Sequence, residues 1–503
     1  MVLSAAFVVY SNVGRELRGG ECLWSLAGRH HVVDGLGVTK TGTVQSWSTT
    51  PPGYYASHPP LQAWYLALWY WLFGWDLLVT RVAMIVMWFA ACLGVSWLVY
   101  THNHSVNSGL FAAIFFLFSP ATWSWAGTPD LTNLNASLMT LGYVAYVYWE
   151  KSPLSVWRYS LMLVVFSLAA IADWPGFTCV PLLLVAAYVA RRPRVVINRL
   201  LVGLTWMLFL FCMTYSYLSM FFTEPNILLG ALARHGGSGG LPVFRIPLYW
   251  GVRGMIYVLP PALILMIWGM VQSALAVKSK SEYLSGPETA ILGFALSNLF
   301  IFFFLKEWAV EMAQLVLYWI PVASFWSAVV LAKWLSRPIR AENQISWRAI
   351  LFPVTQILLS AVVIFVLSYK NTITRSDVEV GHWLHERLGG HEPLSLYVEH
   401  RGGDTNPVSF RYWTQREVNT MVKGDIEQAQ GAYLFLPPEL VEVSHLQREY
   451  RILDRYYRTP PQLSGLGSLA IRIYSAVLPE RGRFFDPRSS YEGWVLMKRT
   501  GDS

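Results

Sequence analysis

The feature that most constrains this chain is the recurrence of apolar stretches about 20 residues long, each long enough to cross a bilayer as a helix. Ten are legible after the N-terminus, at 77–100, 105–125, 131–149, 156–172, 176–190, 200–222, 255–277, 289–305, 314–333 and 349–369. Within hydrocarbon every backbone polar group must be satisfied internally, so continuous runs of this length select helices. The composition agrees: 54% of the 503 residues are hydrophobic and 14% are charged, against about 25% charged in ordinary soluble domains. Residues 1–12 read as the last turns of an eleventh helix. Met1 to Tyr10 is too short to span alone, so either the first helix is truncated at Met1 or it is tightly buried. Lacking a basic n-region and a small-residue cleavage site, it does not read as a signal peptide. The expected fold class is an all-α polytopic membrane protein of about 11 transmembrane helices, followed by a small α/β domain.

Charge placement supplies a topology. From Lys370 onward 17 basic residues face 17 acidic ones, so the whole net charge of +8 lies before that point. A basic excess confined to short membrane loops indicates orientation rather than nucleic-acid binding. Lys151 and Arg158, Arg191, Arg192, Arg194 and Arg199, Lys278 and Lys280, and Lys333, Arg337, Arg340 and Arg348 fall on one side, which is thereby expected to be cytoplasmic. The loop 13–76, the turns near Asp130 and Asp173, the loop 223–254, the turn 306–313 and the tail fall on the other. The run 59–74 is read as a surface helix: Trp64, Tyr65, Trp69, Tyr70 and Trp71 suit an interface. Residues 1–370 are therefore expected to form the membrane domain, with 13–76 as its first extracytoplasmic loop, and 371–503 a soluble extracytoplasmic domain. In that tail Pro393–Glu399, Ala432–Leu436 and Ser468–Tyr474 read as strands and Leu440–Tyr457 as an amphipathic helix.

Nine of the thirteen acids before the tail gather on the expected outer face: Glu16, Glu21, Asp34, Asp76, Asp130, Asp173, Glu224, Glu307 and Glu311. A carboxylate beside hydrocarbon is costly enough that it usually faces water or serves a purpose. That placement suits transfer of a sugar carried on a lipid phosphate, whose head group lies at the membrane surface. A carboxylate can deprotonate the acceptor hydroxyl, and cations or a metal can stabilise the departing phosphate. Neither a GxxxxGK[ST] nor a strand-borne GxGxxG is present, so no nucleotide site is expected. The four cysteines show no CxxC spacing. His30 and His31 are adjacent and point apart on a helix, while His102 and His104 fall on the opposite side of the membrane.

The order of motifs carries a resemblance. Glu21-Cys-Leu-Trp-Ser-Leu-Ala-Gly-Arg29, then a glycine turn reaching Lys40, then His58-Pro59-Pro60-Leu61, Arg81, Gly127-Thr-Pro-Asp130 and Asp173-Trp174-Pro175, resembles the polyprenyl-phosphate-sugar-dependent, protein-mannosyltransferase-like branch of the GT-C glycosyltransferases. It is also similar to the lipid A aminoarabinose transferases. Gly20 stands where the family has Asp, which leaves Glu21 as the acid and Glu16 as the alternative carboxylate. The resemblance implies Glu21 as acceptor-side base, Asp130 as its partner, and His58, Arg81, Asp173, Arg234, Arg245, Arg253 and Lys40 as substrate-binding residues. Each has a plainer account as well. Asp130 suits a helix start, Asp173-Trp-Pro a helix break, and Arg81 an interfacial anchor. A divalent metal held by Glu21 and Asp130 is one alternative, since hard cations take oxygen ligands, and the family includes metal-independent members.

The function expected is therefore transfer of a sugar, with inversion, from a polyprenyl-phosphate donor to an extracytoplasmic glycan, lipid or protein. The partners are that lipid-linked sugar, its acceptor and membrane lipids, with no nucleic acid, in the plasma membrane of a bacterium. An O-antigen ligase or polymerase is the neighbouring alternative; it would rely more on basic residues in a large outer loop. A secondary transporter would need charged or broken helices at mid-membrane, whereas these acids sit at span ends.

Overall fold

The computed structural model describes residues 17, 20–49, 52–55, 57–221, 245–278, 284–304, 313–336, 347–373, 376–388, 392–397, 407–421, 432–441, 444–457 and 493–500. The N-terminal segment 1–12 and the strand expected at Ser468–Tyr474 lie outside them. In chain order the elements begin with α1 (Gly20–Val33), α2 (Gly35–Thr39), β1 (Val44–Thr49), β2 (Pro52–Tyr54) and α3 (Leu61–Phe73). Then come α4 (Leu77–Asn103), α5 (Val106–Leu117), α6 (Pro120–Trp125), α7 (Leu131–Glu150), α8 (Val156–Ala172), a 3-10 turn (Trp174–Thr178), α9 (Cys179–Val189) and α10 (Arg194–Ser219). After α11 (Arg245–Tyr257), α12 (Pro260–Lys278) and α13 (Gly286–Phe304), a second 3-10 segment (Ala313–Tyr318) leads into α14 (Trp319–Ser336) and α15 (Trp347–Ile373). The tail holds α16 (Ser376–Arg387), β3 (Leu394–Tyr397), α17 (Pro407–Thr414), β4 (Val418–Met421), β5 (Tyr433–Leu436), α18 (Ser444–Glu449), β6 (Tyr450–Arg455) and β7 (Val495–Arg499).

The chain packs as two compact units. One joins Ala56–Tyr65 to Leu72–Ile364; the other joins Glu16–Tyr55 and Leu66–Trp71 to Phe365–Ser503.

The first unit is a helix bundle. Among the described residues five helices are long and apolar enough to cross a membrane: Leu77–Asn103, Arg194–Ser219, Gly286–Phe303, Gln314–Leu335 and Ile350–Leu367. A bent pair, Trp250–Tyr257 with Pro260–Leu275, makes a sixth if counted as one span. Helices occupy all ten of the sequence-derived spans, with two differences. Pro120 divides 105–125 into α5 and α6. The chain between α11 and α12 turns through 116°, because Pro260 and Pro261 cannot continue the preceding helix. That bend is affordable in an apolar medium because its carbonyls are capped: Ser119 Oγ donates to Tyr257 O at 2.7 Å and Gln356 Nε2 to Val258 O at 3.0 Å.

α7 is the axis of this bundle. Every residue from Leu131 to Thr140 is buried, the pattern of a helix enclosed by protein on all sides. Gly142 permits the closest approach, since a Cβ there would lie 2.5 Å from the Phe166 ring of α8. Tyr143 stacks on Phe294 of α13 with ring centres 5.0 Å apart. At the C-terminal end of α7, Glu150 receives the Tyr146 hydroxyl at 2.9 Å and the Arg192 guanidinium, which also donates to Leu284 O at 3.0 Å. His102 meets Ser285 Oγ at 2.9 Å, and Glu288 Oε2 accepts from Ser285 N at 2.9 Å, so Ser285 and Glu288 form a capping box for α13.

The second unit is built on a five-stranded sheet of order β4-β3-β5-β7-β6. β3 runs parallel to β4 and β5, and β7 antiparallel to β5 and β6. Val380, Leu384, Leu394, Leu396, Phe410, Leu434 and Leu496 are fully buried in its core. The strands expected around 393–399 and 432–436 are β3 and β5. The long helix expected at Leu440–Tyr457 is not formed: α18 covers only six residues, and Tyr450–Arg455 becomes β6 because β7 offers it a partner. Within the same unit α1 packs on residues of α3. A Cβ at Gly28 would stand 2.9 Å from both Leu66 and Tyr70, and Ser25 Oγ bonds the Tyr70 hydroxyl at 2.9 Å.

Candidate active site

The N-terminal end of α7 gathers one of the two polar clusters described in the first unit. Gly127-Thr-Pro-Asp130 turns the chain into α7, and Asp130 is its N-cap. The backbone there is extended, and Oδ1 accepts from Thr132 N at 2.8 Å, satisfying one of the free amides of the first turn. The other oxygen, Oδ2, accepts from Gln314 Nε2 at 3.1 Å, so the second 3-10 segment is tied to this acid. Arg81, one turn into α4, is fully buried and donates from Nη1 to Gly127 O at 2.9 Å. A guanidinium at such depth is tolerated only where protein groups replace its water. Arg81 therefore grips the turn that carries Asp130.

Asp173 ends α8 at the same end of the bundle. Its Oδ1 accepts from Trp174 N at 2.8 Å, capping the Trp174–Thr178 turn, and from His58 Nδ1 at 2.8 Å. The carboxyl is completely buried. Trp174 Nε1 donates to Ser57 O at 2.8 Å, so His58 and Ser57 are both held by one turn. His58 and Asp173, 115 residues apart in sequence, are thus brought together.

The amides behind these acids escape a reading based on apolar runs. Asn133 donates to Ala126 O at 2.7 Å, bracing the Asp130 turn from below. Asn135 donates to Ala169 O at 2.6 Å and accepts from the Tyr318 hydroxyl at 2.8 Å, while Asn298 donates to Tyr318 O at 2.7 Å. Asn133, Asn135 and Asn298 each interrupt a span with an amide, and an amide in an otherwise apolar helix signals a buried hydrogen-bond network.

Of the remaining sequence-derived residues, the second unit carries Glu21 and Lys40. Glu21 occupies the first turn of α1 and is buried; a carboxylate there is favoured by the helix dipole. Further along α1, burial lowers the proton affinity of Arg29, with Asp34 acting in the opposite sense. His30 Nδ1 meets Asp34 Oδ2 at 2.5 Å. His31 Nδ1 meets Thr39 Oγ1 at 2.9 Å, and burial pushes its pKa down to about 4. Lys40 is exposed and terminates α2 in a left-handed conformation, φ 51°. Arg253 of α11, in the first unit, is buried, and Arg245 opens the same helix. Arg234 and Glu16 lie outside the described residues. Among the described residues no group of three or more His, Cys, Asp or Glu side chains is placed to hold a metal ion, and Glu21 and Asp130 belong to different units.

No family model matches the chain, and no curated protein matches it. Solved structures do. ArnT from Cupriavidus metallidurans bound to undecaprenyl phosphate superposes with a TM-score of 0.59 at 14% identity, over 91% of this chain and 95% of that one. The archaeal oligosaccharyltransferase AglB from Archaeoglobus fulgidus, in complex with an inhibitory peptide and a dolichol-phosphate, gives a TM-score of 0.57 at 11% identity, over 99% and 88%. The chain accordingly shares the fold of these two structures, a bundle of apolar helices with a small C-terminal five-stranded sheet.

Proposed function

We propose that the chain is an integral-membrane glycosyltransferase that moves a sugar from a polyprenyl phosphate to an acceptor outside the cytoplasm. The observation that carries this reading is the near full-length GT-C likeness to ArnT and AglB, whose structures hold undecaprenyl phosphate and dolichol-phosphate. Supporting it, the acids at the start of α7 and the end of α8 share one end of the bundle with Arg81, while Glu150, Arg192 and His102 occupy the other. By the distribution of basic loops the first end is extracytoplasmic, and on the same reading the tail from residue 371 is extracytoplasmic too.

In this scheme the acceptor hydroxyl oxygen attacks the anomeric carbon opposite the phosphate, and the new glycosidic bond forms as the carbon–phosphate oxygen bond breaks. The phosphate leaves with the electron pair, the hydroxyl proton passes to a carboxylate, and the anomeric configuration inverts. Glu21 is the base and Asp130 the acid that orients the donor. Arg81, Lys40 and the arginines at 234, 245 and 253 supply the positive field for the leaving phosphate. The test compares wild type with Glu21→Gln and Asp130→Asn at equal expression, using labelled polyprenyl-phosphate sugars. Loss of transfer in both variants supports the assignment. Transfer untouched by both changes refutes it and turns attention to Glu16 and Asp173.

A further inference from the structure

The pair formed by His58 and Asp173 belongs to a longer connection. His58 Nδ1 and Asp173 Oδ1 stand 2.8 Å apart, within hydrogen-bonding distance. With the Trp174 indole on Ser57 O at 2.8 Å, the segment leading into α3 is fastened twice to the turn that ends α8. That turn is tied inward in its own right. Asn135 donates to Ala169 O at 2.6 Å, in the last turn of α8, and accepts the Tyr318 hydroxyl at 2.8 Å. Tyr318 closes the Ala313–Tyr318 segment, whose Gln314 reaches Asp130 Oδ2 at 3.1 Å. Asn298 pins the same segment by donating to Tyr318 O at 2.7 Å. All these residues belong to the first unit.

We infer that His58 and Asp173 are positioning residues, which set the geometry of Asp130 through Asn135, Tyr318 and Gln314. The sequence motif His58-Pro59-Pro60 then has a division of labour: the two prolines start α3, and the histidine locks that start to the α8 end. In a buried polar chain the members polarise and hold one another, so the loss of one is felt by its neighbours. A catalytic group displaced by about 1 Å can cost about a hundredfold in rate, so the lock acts on turnover rather than on donor affinity.

The inference rests on the proposed transferase reading for its kinetic arm, and a second arm stands without it. In the kinetic arm, His58→Ala and Asp173→Asn are expected to lower kcat about tenfold or more while the donor KM stays within about twofold. The double variant is expected to be no worse than the more damaged single one, the mark of residues acting through one contact. His58→Asn, whose side-chain amide offers a donor near the Nδ1 position, is expected to keep most of the turnover. If His58→Asn is as damaged as His58→Ala, the ring acts on substrate and the positioning role is overturned. In the second arm, hydrogen exchange is measured on the full-length protein in lipid nanodiscs. His58→Ala is expected to speed exchange about tenfold at 174–178 and at 313–318, with Ser285–Thr289 at the far end unchanged as the internal control. Faster exchange confined to residues next to 58 overturns the connection to Asp130. Should the wild type transfer no sugar from any donor, the transferase reading falls while the exchange result still decides the coupling.

Discussion

Gly176→Ala is a sharp test of how the candidate site is built. Gly176 sits in the turn capped by Asp173, and its own N–H donates to Asp173 O at 3.0 Å. A Cβ at this position would lie 2.3 Å from Ala169 C and O and 2.4 Å from Ala170 N, all backbone atoms that no rotamer change can move. Restoring ordinary van der Waals contact requires the turn to retreat by about 1 Å from α8. A retreat of that size would stretch the 2.8 Å bonds from Asp173 to His58 and from Trp174 to Ser57 beyond hydrogen-bonding distance. Overpacking of this kind costs about 1–3 kcal/mol, and losing a bond to a charged group about 1.5–3 kcal/mol more. A combined loss of about 3 kcal/mol should lower the Tm by roughly 3–6 °C in a chain of this size. Thermal unfolding in detergent, followed by the amount of monodisperse protein, reads that shift. Gly251→Ala in α11 is the matched control, because nothing lies within 4 Å of its Cβ position and alanine is the better helix former. An unchanged Tm for Gly176→Ala, or equal effects at both glycines, would refute the close packing of this turn.

Three further outcomes follow from other parts of the chain. Gly142→Ala, which would place a methyl 2.5 Å from the Phe166 ring, should lower the Tm through a cost of about 1–3 kcal/mol; a neutral result would mean that α7 and α8 separate more easily than drawn. Glu150→Gln removes the anion that receives Arg192 and the Tyr146 hydroxyl. It should destabilise by about 2–4 kcal/mol while leaving the transfer rate per folded molecule unchanged, which comparison of Tm with specific activity checks. His31, whose pKa burial depresses to about 4, takes up a proton near pH 6.5 when unfolded but resists it when folded. Its contribution to stability is therefore intact above about pH 6.5 and is lost as the pH falls toward 4. The Tm advantage of wild type over His31→Gln should shrink between pH 7 and pH 4.5; a constant gap would contradict the burial of that ring.

What the sequence revealed follows the range of the forces involved. Transmembrane helices are local: a long apolar run must satisfy its own backbone in lipid, so α4, α10 and α15 coincide with their hydropathy peaks. The division of 105–125 at Pro120 and the bend at Pro260 are local too, marked by prolines that an apolar average hides. Strand pairing is not local. Tyr450–Arg455 alternates too weakly to declare itself, and becomes β6 only because Val495–Arg499 lies beside it. The candidate site divides in the same way. Asp130 and Asp173 stand out because carboxylates beside hydrocarbon are costly, whereas the partnership of His58 with Asp173 spans 115 residues and has no signature in either neighbourhood. Asn135 and Tyr318 are harder still, since each looks like an isolated polar residue until the fold joins them.

The central claim is that this chain transfers sugar from a polyprenyl phosphate. Its most direct test presents membranes containing the wild-type chain, beside membranes lacking it, with a panel of radiolabelled polyprenyl-phosphate sugars and an acceptor-bearing envelope fraction. The account predicts labelled product formed from at least one donor only where the chain is present, with release of the free polyprenyl phosphate in equal amount. Equal product in both membranes, or label released without matching polyprenyl phosphate, would contradict it.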